Sequence, residues 1–474
     1  MGQSRRAVAL ALVGAGLALA LLPGATNAAT VQTFIPDQGP GGTFTFSSLG
    51  IRYSAEAGEV NRVNASATPP ISAETPVPGR VDFSDPAGIN PGPGCSRPDP
   101  TDSTRASCTV PAADIFDTEI RLFDGADHAR ITGAFNRLVL MEGGEGADDL
   151  GASSAGVNPV DPPTVTFVGG RGNDVMSGGP GLDTFIEDQA GNGADVFNGG
   201  AGDADTVSYR RRNRGLRLSL DGRANDGAPG EGDQIRSGVE GIVGGPRADR
   251  ISGNRSANGL FGGGGEDRLS GGSGGDLLEA GPGRTRDRLD GGRGDDLVVG
   301  NSGSNRVKGG PGFDRIKVGR GADRIDARDR ATDDISCGGG RDLLRIDRLD
   351  FFVRGCERVR RKGSPAAVAL SFVFVEDIRG PGSLKSEIAC PRDGPRRCRG
   401  RVIIRLGART IGTERFDLGR GEVKDVSAEL RESDSLRAPA FVRVRSRDRS
   451  GRLRETGRRR LVIGCSPFGC LGRV

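Results

Sequence analysis

From Gly244 to Arg345 the chain divides into eleven consecutive units with no residue left over. They read GGPRADRIS, GNRSANGLF, GGGGEDRLS, GGSGGDLLE, AGPGRTRDRLD, GGRGDDLVV, GNSGSNRVK, GGPGFDRIK, VGRGADRID, ARDRATDDIS and CGGGRDLLR. Nine residues is the rule; the unit at Ala280 has two extra and the unit at Ala327 one. So short a period excludes an ordinary close-packed globule. Each unit is one small step, and it can bury an apolar face only by stacking on its neighbours. The composition agrees, with 80 glycines, no Trp and 35% hydrophobic residues.

Positions within a unit carry separate duties. Glycine at positions 1, 2 and 4 lets the backbone reach φ > 0 and turn tightly. Position 6 is Asp or Asn, and positions 7 to 9 form a short strand with position 8 pointing inward. Down the run, position 8 reads Ile251, Leu260, Leu269, Leu278, Leu289, Val298, Val307, Ile316, Ile325, Ile335 and Leu344. Every member is aliphatic, as a narrow repeated core requires. Position 7 alternates by unit: Arg250, Arg268, Arg288, Arg306 and Arg324 fall on one side, and Gly259, Leu277, Leu297 and Arg315 on the other. That parity predicts two units per coil and a ladder of like charges on one outer face. Such a ladder suits a polyanion, for example a cell-wall or extracellular polymer.

Upstream, GGEGADDLG at Gly143, GGRGNDVMS at Gly169, GGPGLDTFI at Gly178 and AGNGADVFN at Ala190 follow the same rule. GGAGDADTV at Gly199 has its aspartate displaced by one. Tyr209 to Val243 interrupts the repeats and holds Asp221, Asp226, Glu231 and Asp233 in a Gly-rich loop, read as one more acidic loop of the same kind or as a solvated hairpin.

Over most of Gly143 to Arg345 the sequence resembles the RTX (hemolysin-type) calcium-binding nonapeptide repeat. The resemblance implies an all-β fold, a right-handed parallel β-roll or β-solenoid, with Ca2+ between the turns of alternate units. Carried over residue by residue, it implies metal ligation by Asp148, Asp174, Asp183, Asp195, Asp249, Asp267, Asp276, Asp296, Asp314 and Asp323. Asp342 matches too, with Cys337 in the first place of its turn. Asn258 and Asn305 hold the same place without charge, so weaker sites are expected there, and the irregular turns before Asp287 and around Asp333 set those two apart. Backbone carbonyls plus a carboxylate make the hard oxygen set that Ca2+ prefers.

The flanks differ from the repeats. Met1 to Ala29 reads as a secretory signal: Arg5 and Arg6, the apolar run Ala7 to Leu22, then small residues. An extracellular protein without a transmembrane anchor is expected. Residues 30–140 read as a β segment leading into the solenoid, 141–361 as the roll, and 362–474 as a small antiparallel β-sandwich with turns about every ten residues. From Phe352 onward stand 29 basic and 14 acidic residues, almost all the basic ones Arg. The eight cysteines group as Cys95/Cys108, Cys337/Cys356, Cys390/Cys398 and Cys465/Cys470, which suits disulfides in an exported chain.

A single histidine, His128, removes HExxH zinc proteolysis and leaves a Ser-His-Asp triad without support. The expectation is a secreted calcium-binding protein, not an enzyme. Its roll folds on Ca2+ and serves as a structural or adhesive module, with calcium ions as partner and no nucleic acid. The alternative is a polysaccharide lyase or hydrolase using acidic residues on the solenoid, Asp221 and Glu231 among them.

Overall fold

The structure is a computed structural model that describes residues 29–34, 50–68, 79–110, 117–133, 135, 138–153, 163–188, 193–202, 204–347, 350, 352–362, 369–376, 383–389, 397–406, 409–419, 422–429, 440–447, 453–461, 465–466 and 469–470. Of the expected signal, Met1 to Ala29, only Ala29 is among them, and Cys390 lies outside them.

Side chains alternate across a strand, so the three-residue strand of each unit buries its middle residue and turns the flanking two outward. Arg288–Arg293 pairs in parallel with Arg268–Ser273 and sets Leu289 on Leu269. Leu297–Val299 does the same with Leu277–Glu279, setting Val298 on Leu278. Successive units feed opposite sheets, so two units make one coil. All eleven aliphatic residues of the position-8 column are buried. Each contributes about 1.5–3 kcal/mol of apolar transfer. Nearer the N-terminus the column turns aromatic: Phe167 stacks on Phe185 at 5.1 Å, Phe197 meets Phe185 edge-on at 5.8 Å, and Tyr209 follows at 6.4 Å.

One fifteen-stranded sheet runs the length of the roll, from Ile89–Pro91 at one edge to Phe352–Arg354 at the other. Two sheets in turn complete the coils opposite it. The first has ten strands and reaches Asp233–Ile235 and Ala224–Asp226; the second has eight and begins at Arg217–Ser219. The exchange falls in the interruption that the sequence placed at Tyr209 to Val243. Parallel pairing begins well before residue 141: Gly50–Ser54 pairs with Asp117–Arg121, and Arg62–Thr68 with His128–Gly133. Short strands with Ile51, Tyr53, Val63 and Ala65 pointing inward build those coils with one positive-φ glycine per turn, Gly58 and Gly125, so the full repeat motif is absent although the coil is present.

Two disulfides sit near the ends of the roll, Cys95–Cys108 and Cys337–Cys356. Cys465 and Cys470 face each other in a two-stranded pair. The C-terminal region forms two antiparallel sheets. One holds Ala369–Glu376, Ser383–Ala389 and Val423–Glu429; the other Arg397–Leu406, Arg409–Gly419, Ala440–Arg447 and Leu453–Leu461. Ile388, Val402, Ile404, Phe416 and Val426 are among their buried side chains. Among the described residues no helix is long and apolar enough to cross a membrane.

Candidate metal centre

The turns stack as closely as the strands. Gly294 has φ +123°, and a Cβ there would run into the Gly274 carbonyl of the turn below. At Gly291 a Cβ would meet the Asp296 Oδ2 of its own unit, and the Gly309 carbonyl at 2.7 Å. Glycine is therefore what lets carbonyl oxygens and a carboxylate oxygen approach one another there.

The carboxylates form columns. Asp276 N donates to Asp296 Oδ1 at 2.9 Å, Asp296 N to Asp314 Oδ1 at 3.1 Å, and Asp314 N to Asp333 Oδ1 at 2.9 Å. Across the roll, Asp249 N donates to Asp267, Asp267 N to Asp287 and Asp323 N to Asp342, each to Oδ1. In the N-terminal half Asp148, Asp174 and Asp195 link in the same way, as do Asp183 and Asp205. Every one of the ten predicted aspartates is buried, none above 2% exposed.

Their second oxygens divide them. For Asp148, Asp174, Asp267, Asp276, Asp296, Asp314 and Asp323, Oδ2 is buried and no donor reaches it. Asp183 Oδ2 instead accepts Gly179 N, and Asp249 Oδ2 accepts Gly245 N, each at 2.7 Å. Asp195 Oδ1 accepts Asp174 N. Asp287, in the turn with two extra residues, is satisfied by Asn301 Nδ2 at 2.6 Å and Thr285 Oγ1 at 3.1 Å.

Asn305 marks what the slot is shaped to hold. Its Nδ2 donates to the Gly303 carbonyl at 3.0 Å, the Asn301 carbonyl at 3.2 Å and Asp323 Oδ1 at 3.1 Å. A partly positive NH2 group thus sits among two turn carbonyls and a carboxylate of the unit two places on. Where position 6 is Asp, the same register sets an acceptor in place of that nitrogen, and a cation there would complete the set. The orphaned Oδ2 atoms and the glycine cradle fit Ca2+. Among the described residues no three or more His, Cys, Asp or Glu side chains gather as a metal cluster. The remaining ligands of such a site are therefore backbone oxygens.

Burial raises these carboxyls. It pushes Asp148, Asp174, Asp183, Asp249 and Asp323 up to about 6, and Asp267 and Asp276 up to about 7. Asp296 rises to about 8, and Asp314 to about 9 with the Asp296 charge adding to burial. Asp195 also rises, from burial and then from the Glu187 carboxylate. A stacked row of buried acids favours protons or a cation over bare charge.

Several members of these columns were hard to find in the sequence. Asp127 accepts Asn61 N and donates its own N–H to Asp148 Oδ1. Its signal is only the Gly-Ala-Asp of residues 125–127, which repeats the Gly-Ala-Asp of 146–148. Asp205, one place late in its unit, is brought into register because the following strand Thr206–Ser208 pairs with Thr184–Ile186. In the interruption, Asp226 and Asp233 are buried, so the reading of that segment as a solvated hairpin does not hold for them. Asp233 Oδ1 accepts Asp195 N at 3.0 Å and extends a column. Asp221 is exposed, whereas the Glu231 side chain is 6% exposed, paired with Arg212 at 2.7 Å and accepting Ala228 N. His128 Nδ1 lies 3.0 Å from Asp149 on the outer face.

The fold and these turns define a calcium-binding β-roll. Residues 166–186, 189–203, 243–278, 283–307 and 299–329 match the family model of the RTX calcium-binding nonapeptide repeat. The chain carries RTX repeats, and such repeats bind Ca2+. No curated protein matches the chain.

Proposed function

We propose that this is an exported protein whose roll is folded by Ca2+ and then serves as a stiff, non-enzymatic spacer. Asn305 carries the reading, because its amide nitrogen occupies the place among turn oxygens that a cation takes at the aspartate units. The metal sites of this proposal are Asp148, Asp174, Asp267, Asp276, Asp296, Asp314 and Asp323, whose second oxygens lack a donor. Asp195 is kept with them. Asp183 and Asp249 rank lower, since their own turns already supply a donor. Support for export is the apolar run Ala7 to Leu22 behind Arg5 and Arg6, together with the two disulfides. The glycosidase alternative finds no favour in the interruption, where Glu231 is committed to Arg212 and Asp221 faces solvent.

The chain without its signal, freed of metal at neutral pH, is expected to show little β signal in circular dichroism. It should gain that signal cooperatively as Ca2+ rises through about 10⁻⁴ to 10⁻³ M, the range of extracellular calcium modules. A spectrum that calcium does not change would sink the proposal.

A further inference from the structure

Arg217, Arg250, Arg268, Arg288, Arg306 and Arg324 stand in register on consecutive strands of the eight-stranded sheet. All six are exposed. Neighbouring strands are about 4.8 Å apart, so the column runs straight for roughly 24 Å. Like charges at that spacing repel, and the adjacent outward column does not relieve them. Beside the first three arginines it offers hydroxyls, Ser219, Ser252 and Ser270. Beside the next three it offers Asp290, Lys308 and Asp326. Asp290 is held by Lys308 at 3.1 Å, and Asp326 by Arg328 at 2.7 Å. Among the described residues no ion pair or hydrogen bond engages a guanidinium of the six. Elsewhere on the surface arginines do find carboxylates, as Arg171 finds Glu145 and Arg397 finds Asp417.

We propose that this ladder docks a linear anionic polysaccharide with a carboxylate on each sugar, laid along the axis of the roll. Guanidinium forks pair with carboxylates in two parallel hydrogen bonds. The serine column alongside offers hydroxyls to sugar hydroxyls. The buried residue of each strand anchors the backbone of the column, so only the arginine side chains remain to be ordered on binding. Duplex DNA fits less well, because its phosphates repeat every 3.4 Å or so along each strand and wind away from a straight row. The ladder exists only while the coils are stacked, so the proposal rests on the calcium-folded reading above.

The test is calorimetry on the chain without its signal in saturating Ca2+, titrated with short oligogalacturonate and blanked against the same calcium buffer. R250Q/R268Q is expected to bind at least about tenfold more weakly. R62Q/R105Q, which removes two exposed arginines from the ten-stranded sheet, is expected to bind as the parent does. R288Q/R306Q serves as the second ladder variant should the first lose its calcium-induced circular dichroism. No binding by the parent, equal loss in ladder and control variants, or tighter binding of duplex DNA than of the oligosaccharide each overturns the proposal. Failure of calcium folding shows separately, in a spectrum unchanged by calcium before any sugar is added.

Discussion

At Asp296 one oxygen, Oδ1, accepts the Asp276 amide, while Oδ2 is buried and meets no donor. At Asp287 both oxygens are taken by protein donors. That difference is testable through pH. The folded values of Asp267, Asp276, Asp296 and Asp314, about 7 to 9, lie above the unfolded value near 3.9. A raised acid stabilises the metal-free fold below its unfolded pKa and loses that contribution as pH rises through the folded one. The metal-free roll should therefore keep more β signal at pH about 4.5 than at about 8, the reverse of usual acid denaturation. A signal flat across that range would contradict the burial argument. At the acid end, D296N should unfold with the parent, because its amide keeps Oδ1 and the parent is already uncharged. D287N should fall below the parent there by about 1–3 kcal/mol, since its new nitrogen faces the Asn301 and Thr285 donors. In Ca2+ at neutral pH, D296N should raise the calcium midpoint by roughly tenfold. Equal behaviour of the two variants in both conditions would remove the distinction.

The nine-residue unit is a strand and a turn, and the turn is the more demanding half. Gly294 and Gly283 share φ +123°, yet the first lies against the Gly274 carbonyl and the second has nothing near it. G283A should cost only backbone strain, about 1–3 kcal/mol. G294A adds a collision with backbone that cannot move aside, and thermal melts in Ca2+ should rank it clearly lower. Melts that coincide would mean the turns are not stacked as described. The sequence carried this unit well: the position-8 column and the position-7 parity both correspond to strand register. It carried the exceptions poorly. Arg217 joins the arginine ladder from inside the interruption, where no nonapeptide flags it. Asp127 and Asp233 join the carboxylate columns through strand pairing between residues 21 and 38 positions apart, which no local motif records. Asp287 is satisfied by Asn301 from the unit two places on, a contact visible only once the units are stacked.

On the scale of the whole molecule, the continuous fifteen-stranded sheet ties two half-rolls together while the sheet opposite is exchanged at the interruption. Arg212, buried between Glu187 at 2.5 Å and Glu231 at 2.7 Å, pins that joint. Removing the guanidinium would leave both carboxylates buried without it, a loss of about 3–5 kcal/mol. At the far end, Cys337–Cys356 closes a loop over a separation of 19 residues, worth about 3 kcal/mol of chain entropy. C337S/C356S should raise the calcium concentration needed for folding, measured by circular dichroism; an unchanged midpoint would show that the last coils close without the bridge.

The backbone amides of the column aspartates all donate forward, to a carboxylate of the next coil. Asp323 N reaches forward to Asp342 Oδ1, and Asp342 N reaches forward to Glu357 Oε2. On the other side Asp314 N reaches Asp333, and Asp333 N reaches Asp350. Each coil lends its amide to an acceptor that the ribosome has not yet added. A coil lost from the back leaves the aspartate amide before it without its acceptor, whereas strand amides such as Arg288 N, which donates to the Asp267 carbonyl, depend on the coil in front. Each column therefore has a direction, and its last aspartate amides, those of Asp333 and Asp342, depend on Asp350 and Glu357, beyond the last repeat.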